Sequence, residues 1–156
     1  MTIAIDFDGT CVTHEFPRIG KDIGAIPVLK QLVKNGHKLI LNTMRCAGEK
    51  AYKTAQDTTY YGDTLKEAVK WFEDNEILLY GINENPTQKY WTESPKVFAH
   101  KYIDDANIGT PLNHSKNKRP YVNWIMVAYL LLEEGVLTEE QYEILKEQIK
   151  EIQNKL

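Results

Sequence analysis

The chain has 156 residues and carries 19 Lys and Arg against 22 Asp and Glu, a net charge of −3. A chain of this length builds one domain with a real core, and a mildly acidic balance argues against general nucleic-acid binding. Its longest apolar stretch, Trp124 to Leu132, is shorter than a bilayer span, so no membrane role is expected.

The first predicted strand, 2–7, runs straight into Asp6-Phe7-Asp8-Gly9-Thr10. Alternation along a strand sends Asp6 and Asp8 to one face and Phe7 to the other. Two carboxylates side by side need a cation or a shared proton, and an oxygen-seeking Mg²⁺ is the usual solution. A helix follows from about Pro27, suited to a first turn, to Asn35, with Gly36 as its stop. Lys38 to Thr43 reads as a second strand ending in a hydroxyl. Residues 46–62, with Tyr52, Tyr60 and Tyr61, form a polar and aromatic loop that either overhangs a site as a flap or anchors on the sheet edge. Asp63 is the expected N-cap of a helix burying Leu65, Ala68, Val69 and Phe72, and Ile77 to Ile82 forms a third strand. Residues 83–95 carry Asn83, Glu84, Gln88 and Trp91, which either read a leaving group or belong to an ordinary turn at Asn85-Pro86. Lys101 to Asp105 gives a further strand ending in paired acids, with Lys96 eight positions before Asp104.

Beyond Gly109 a polar linker, Pro111 to Pro120, precedes helices over Tyr121 to Glu134 and Glu139 to Asn154. Thr138 and Gln141 form a capping box for the second. Its stripe of Tyr142, Leu145, Ile149, Ile152 and Leu156 has to be buried, either on the sheet of the same chain or in a dimer interface.

This βαβα order predicts an α/β fold: a Rossmann-like parallel sheet with flanking helices and right-handed crossovers, plus a C-terminal helical pair. One domain, 1–156, is expected, with 1–109 as its core and 110–156 as linker and C-terminal helices. Ligands of such sheets bind outside the C-terminal strand ends, where Asp6, Asp8, Thr43, Lys96, Asp104 and Asp105 would meet.

Those residues, in that order, resemble the four motifs of the haloacid dehalogenase (HAD) superfamily of phosphohydrolases: DxDGT at Asp6 to Thr10, then Thr43, then Lys96, then Asp104-Asp105. The resemblance covers residues 2 to about 109. It implies that Asp6 is a nucleophile forming an aspartyl-phosphate and that Asp8 is the general acid/base. Thr43 and Lys96 would bind the transferring phosphoryl. Asp6, the carbonyl of Asp8 and a motif IV acid would hold Mg²⁺, with Asp105 as direct ligand and Asp104 as its support. Gly9, Thr10, Met44 and Arg45 complete the expected substrate-binding loops, Arg45 through its fork of donors. Only 32 residues separate Thr10 from Thr43 and 52 separate Thr43 from Lys96, so a large cap domain has no room and a capless member is expected.

Elementary chemistry gives these roles sense. A carboxylate attacking a phosphate dianion meets charge repulsion, which a metal and Lys96 relieve. Covalent catalysis splits hydrolysis into two displacements, and a general acid/base contributes ~10²–10⁴-fold. The expected function is a Mg²⁺-dependent phosphomonoester hydrolase acting on a phosphorylated small molecule or nucleotide. The alternatives are a non-hydrolytic phosphate-ligand binding or regulatory module on the same fold, and a polynucleotide-end phosphatase. Asp8 argues against a dehalogenase, because those relatives usually lack the second acid. Lys116, Lys118 and Arg119 read as a solvated loop or as a nucleic-acid contact. His14, His37, His100 and His114 lack metal-ligand spacing, and Cys11 and Cys46 lack a CxxC or zinc pattern. Together with a first strand that begins almost at Met1, this predicts a cytoplasmic monomer or homodimer.

Overall fold

The computed structural model describes residues 1–48, 62–114, 116 and 118–156, and the backbone of 52–53 and 58–59. In chain order, β1 (Thr2–Ile5), α1 (Ala25–Lys34) and β2 (Lys38–Leu41) precede a short antiparallel ribbon of β3 (Tyr52–Lys53) and β4 (Thr58–Thr59). Then come α2 (Thr64–Asp74), β5 (Leu79–Ile82), a 3₁₀ turn at Gln88–Tyr90 and β6 (Lys101–Ile103). A second ribbon, β7 (Leu112–Asn113) with β8 (Tyr121–Val122), leads into α3 (Trp124–Glu133) and α4 (Glu139–Gln153).

Four strands form one parallel sheet in the order β5-β2-β1-β6. β1 and the last three residues of β2 are apolar apart from Thr2 and are buried, as befits central strands covered on both faces. Register decides what happens at the edge. Ile5 lies opposite Leu41 and Ile103, and Leu41 opposite Ile82. The next residues, Asp6, Asn42, Asn83 and Asp104, therefore leave the sheet along one line. The ladder continues one step beyond the strands, from Asp6 N–H to the Ile103 carbonyl at 3.0 Å, Asn42 N–H to Ile5 at 2.8 Å and Asn83 N–H to Leu41 at 2.7 Å. The chain runs outward from β1 through β2 to β5 and then returns to β6 on the other side of β1. That reversal marks the crevice where ligands of open α/β sheets bind.

The helices follow their caps. Asp63 accepts from Lys66 N–H, and Thr138 with Gln141 closes the expected box. α1 begins two residues ahead of Pro27 because the Asp22 carboxylate accepts from Gly24, Ala25 and Ile26. Pro27 still falls in the first turn, where its missing N–H costs nothing. Two C-terminal expectations change. The linker 111–120 is bounded by the β7–β8 ribbon, and Tyr121 belongs to that ribbon, because Asn123 caps Met126 N–H and starts α3 there. The α4 stripe packs chiefly on α1 and α3 within the chain, with Leu145 and Ile149 buried. The expected Tyr60-Tyr61 flap lies outside the described residues. Among the described residues no helix is long and apolar enough to cross a membrane.

Candidate active site

β1 ends on the acids that begin the site. Asp6, Asp104 and Asp105 each bring a carboxylate oxygen within 4.8 Å of the others. Asp104 and Asp105 do not alternate about a strand as their adjacency suggests. β6 stops at Ile103, and the turn that follows delivers both to Asp6. Asp104 also accepts from Ala106 N–H at 2.8 Å, an Asx turn that fixes it. Burial above all, then the charges of Asp104 and Asp105, pushes the Asp6 carboxyl from its ordinary 3.8 up to about 7, against the donors Phe7 N–H and Thr10 hydroxyl. Burial likewise raises Asp105, opposed by His14 and Arg119. Three hard oxygen donors this close together, with the Asp6 and Asp105 carboxyls raised, could hold a hard dication.

The motif I turn is fixed from below. Gly9 has φ +87°, and its N–H donates to Val12 while its carbonyl accepts from Val122 N–H, both at 2.8 Å. A methyl group at Gly9 would strike the His14 ring, so no other residue fits. Thr10 is fully buried. Its hydroxyl donates to Asp6 Oδ2 at 3.2 Å and accepts from Asp105 N–H at 3.0 Å, and Trp124 Nε1 donates to its carbonyl at 2.6 Å. Gly9 and Thr10, expected on the substrate, are thus struts: every polar group they own is spent inside the protein. Phe7 goes to the opposite face and meets Trp71 and Phe72 at 5.5 and 6.0 Å.

The loop after β2 divides its duties. Thr43 N–H donates to Asn83 Oδ1 at 2.7 Å, and Thr43 Oγ1 accepts from Arg45 N–H at 3.2 Å, which leaves the hydroxyl proton to donate outward. Asn83, with φ +51°, therefore supports Thr43 through its Oδ1. Met44 projects 90% exposed beside them, and among the described residues its N–H has no partner. Arg45 departs furthest from expectation. Only 2% exposed, it grips Asp8 by a fork, Nε to Oδ2 and Nη2 to Oδ1, both at 2.7 Å. Its remaining N–H groups go to the carbonyls of Arg18, Pro17 and Thr64, so no donor is left for a phosphate.

Lys96 is exposed and its Nζ lies 5.6 Å from the Tyr102 ring. With Asn42 and Tyr102 it lines a cavity of about 380 Å³ that also contains Asp6 and Asp104. Gln88 is its scaffold: buried, it donates to the Ser94 and Lys96 carbonyls and accepts from Phe98 N–H, which excludes it from reading substrate. Trp91 packs on Phe98. Lys101 is paired with Glu134 at 2.6 Å and takes no part. The main cavity, about 610 Å³, is lined by Asp6, Asp8, Thr43, Met44, Asp105 and Arg119 among others. A groove of similar size, 660 Å³, between α1 and α4 contains none of the motif residues.

Two residues gain a place that spacing alone did not assign. His14 Nε2 lies 3.2 Å from Asp105 Oδ2 and 3.0 Å from the Pro120 carbonyl, tying the acid to the C-terminal segment. Arg119, from the same segment, faces the main cavity. Cys11 is fully buried and donates its thiol to the Asp6 carbonyl at 3.3 Å, a small core residue as expected. His37 pairs with the N-terminus and His100 accepts from Thr2 N–H.

No protein-family model matches the chain, and no curated protein matches it. A solved structure from Bacteroides thetaiotaomicron, described as a conserved protein, is 32% identical over 86% of this chain and 91% of that one, with a TM-score of 0.61. At that identity and coverage the likeness exceeds a shared fold, and the chain belongs to the same family as this conserved Bacteroides thetaiotaomicron protein.

Proposed function

We propose that the protein is a Mg²⁺-dependent phosphomonoester hydrolase of the HAD type, working through an aspartyl-phosphate on Asp6. The observation that carries this reading is the meeting of Asp6, Asp104 and Asp105 within 4.8 Å at the switch point of the sheet, with Thr43 and Asp8 in the same cavity. Asp6, Asp105 and Asp104 would hold Mg²⁺, which when bound supplies the positive charge that lets Asp6 remain a carboxylate beside a phosphate. An Asp6 oxygen attacks phosphorus as the ester P–O bond breaks, and Asp8 gives its proton to the departing oxygen. Water then attacks the phosphorus, its proton passes to Asp8, and Asp6 is released. The Thr43 hydroxyl, the Met44 N–H and the Lys96 ammonium offer the donors for the phosphoryl oxygens.

A cavity of 610 Å³ suits a phosphorylated small molecule or a nucleotide. Two free cysteines fit a cytoplasmic setting. The deciding experiment is hydrolysis of 4-nitrophenyl phosphate with Mg²⁺, with chelator, and with Asp6→Asn. Turnover that needs both Mg²⁺ and Asp6 is expected, and phosphate release that survives chelation or Asp6→Asn would overturn the reading.

A further inference from the structure

Among the described residues Arg45 is the one arginine or lysine enclosed at this site, and its side chain is 1% exposed. A guanidinium has five N–H groups, and here each has an acceptor: two on Asp8 at 2.7 Å, then the carbonyls of Arg18 at 2.9 Å, Pro17 at 3.0 Å and Thr64 at 3.5 Å. The Phe7 and Phe16 rings lie 5.0 and 5.3 Å from its Cζ. Two effects follow for Asp8. The fork fixes the plane of its carboxylate, since a planar donor pair meets a planar acceptor pair in one orientation. It also neutralises the charge that Asp8 carries once its proton has gone to the leaving group. Each Asp8 oxygen keeps a second lone-pair direction, and Asp8 is 19% exposed where it lines the main cavity.

We propose that Arg45 is a positioning residue that acts through Asp8, aiming its proton at the leaving group, and that it is not a phosphate-binding residue. This rests on the hydrolase reading. In the first displacement the proton moves from Asp8 to the ester oxygen as the P–O bond breaks and the Asp6–phosphorus bond forms. The Asp8 carboxylate left behind is the species that the fork holds. In the second, the proton of the attacking water returns to Asp8 while the Asp6–phosphorus bond breaks. The Pro17 and Arg18 carbonyls join the same guanidinium, so the loop bearing Phe16 at the cavity mouth and the acid/base share one anchor.

Leaving groups separate the two roles. An alkoxide needs a proton to depart and 2,4-dinitrophenolate does not. Through kcat/KM, which reports the first phosphoryl transfer, Arg45→Gln should lower hydrolysis of an alkyl phosphate ~10²-fold or more and that of 2,4-dinitrophenyl phosphate less than ~10-fold, as should Asp8→Asn. The double variant Asp8→Asn/Arg45→Gln should be no slower on the alkyl ester than Asp8→Asn alone. Equal losses on both esters, added to that of Asp8→Asn, would make Arg45 a phosphate binder and overturn the proposal. If Arg45→Gln loses its cooperative melt, Arg45→Lys replaces it. That variant keeps the charge without the fork, and a loss confined to the alkyl ester supports positioning while an equal loss on both overturns it. Wild-type protein inert toward 2,4-dinitrophenyl phosphate with Mg²⁺ would sink the hydrolase reading itself, a result distinct from either.

Discussion

The site has an enclosed wall and an open rim, and they use polar groups in opposite ways. In the wall, Thr10, Arg45 and Gln88 spend their donors and acceptors on neighbouring protein groups. On the rim, Met44, Lys96 and Arg119 stand exposed, and neither Lys96 nor Arg119 makes an ion pair among the described residues. A buried polar group left unsatisfied costs ~1–3 kcal/mol, so the wall has to be complete before substrate arrives. Groups on the rim are hydrated and exchange water for substrate at little cost. Polar residues near the site thus sort by exposure: the enclosed ones hold the acids in place, and on the proposed reading the exposed ones are free to meet phosphate.

The largest effects should come where wall and rim meet the reacting atoms. Asp6→Asn removes the proposed nucleophile and should lower kcat by at least ~10³-fold without unfolding the chain. Lys96→Ala, on the rim, should cost ~10²-fold, the scale of one preorganised transition-state contact. Steady-state kinetics on an aryl phosphate check both. If Lys96→Ala were mild while a wall substitution such as Gln88→Ala were severe in kcat at unchanged stability, the division of labour would be wrong.

Asp6 couples the site to stability with a definite sign. Its folded carboxyl titrates near 7, above the unfolded 3.8, so between about pH 4 and 7 the folded state holds a proton that the unfolded state has lost. The metal-free protein should therefore lose stability as pH rises through that window, by up to the order of 4 kcal/mol, and level off above it. Asp105 and Asp22, both raised mainly by burial, act in the same direction. Melting temperatures measured with chelator should fall from pH 5 to pH 8, and Asp6→Asn should flatten that slope. Mg²⁺ should stabilise most at the alkaline end, where it replaces the missing proton. A metal-free protein more stable at pH 8 than at pH 5 would contradict a desolvated Asp6.

Thr10→Val tests the wall alone. It deletes the hydrogen bonds to Asp6 and Asp105 N–H without touching the rim, and should cost ~1–3 kcal/mol in denaturant unfolding. Mg²⁺ affinity should weaken as well, since Thr10 joins the two acids. A stability loss with unchanged metal binding would make Thr10 a core residue only.

Which of these features the sequence exposes depends on range. The Asp63 cap and the Thr138 box are contained in four residues, and β1 and β2 announce themselves by apolar runs, so the sheet and the edge bearing Asp6, Thr43 and Asp104 are legible. Arg45 was misread because a sequence displays its donors and hides its acceptors: Asp8, Pro17, Arg18 and Thr64 lie 37, 28, 27 and 19 residues away. Trp124 reaches Thr10 across 114 residues, and no local pattern marks such a contact. The end of β6 is hidden as well: Lys101 to Asp105 reads as one strand, but β6 stops at Ile103 and a turn carries Asp104 and Asp105 to Asp6. Gln88 has the composition of a substrate reader, and burial alone assigns it to the scaffold.

The weakest predicted effect lies at the outer rim. Arg119 faces the main cavity and also a side cavity of about 350 Å³, lined by Lys21, Lys118 and His14. In a chain of net charge −3, Lys21, Lys118 and Arg119, none with an ion-pair partner among the described residues, converge there beside Glu15. A second phosphate on the substrate would sit near Lys118 while the first reacts at Asp6. Exposed charges act weakly, so Lys118→Ala should lower kcat/KM for a nucleoside bisphosphate only several-fold, an effect that high salt should erase. The same variant should leave 4-nitrophenyl phosphate unchanged, because that ester has nothing to place beyond the scissile group. Equal kcat/KM ratios for the two substrates in wild type and Lys118→Ala would return Lys118 to a solvated loop and confine the rim to the residues around Asp6.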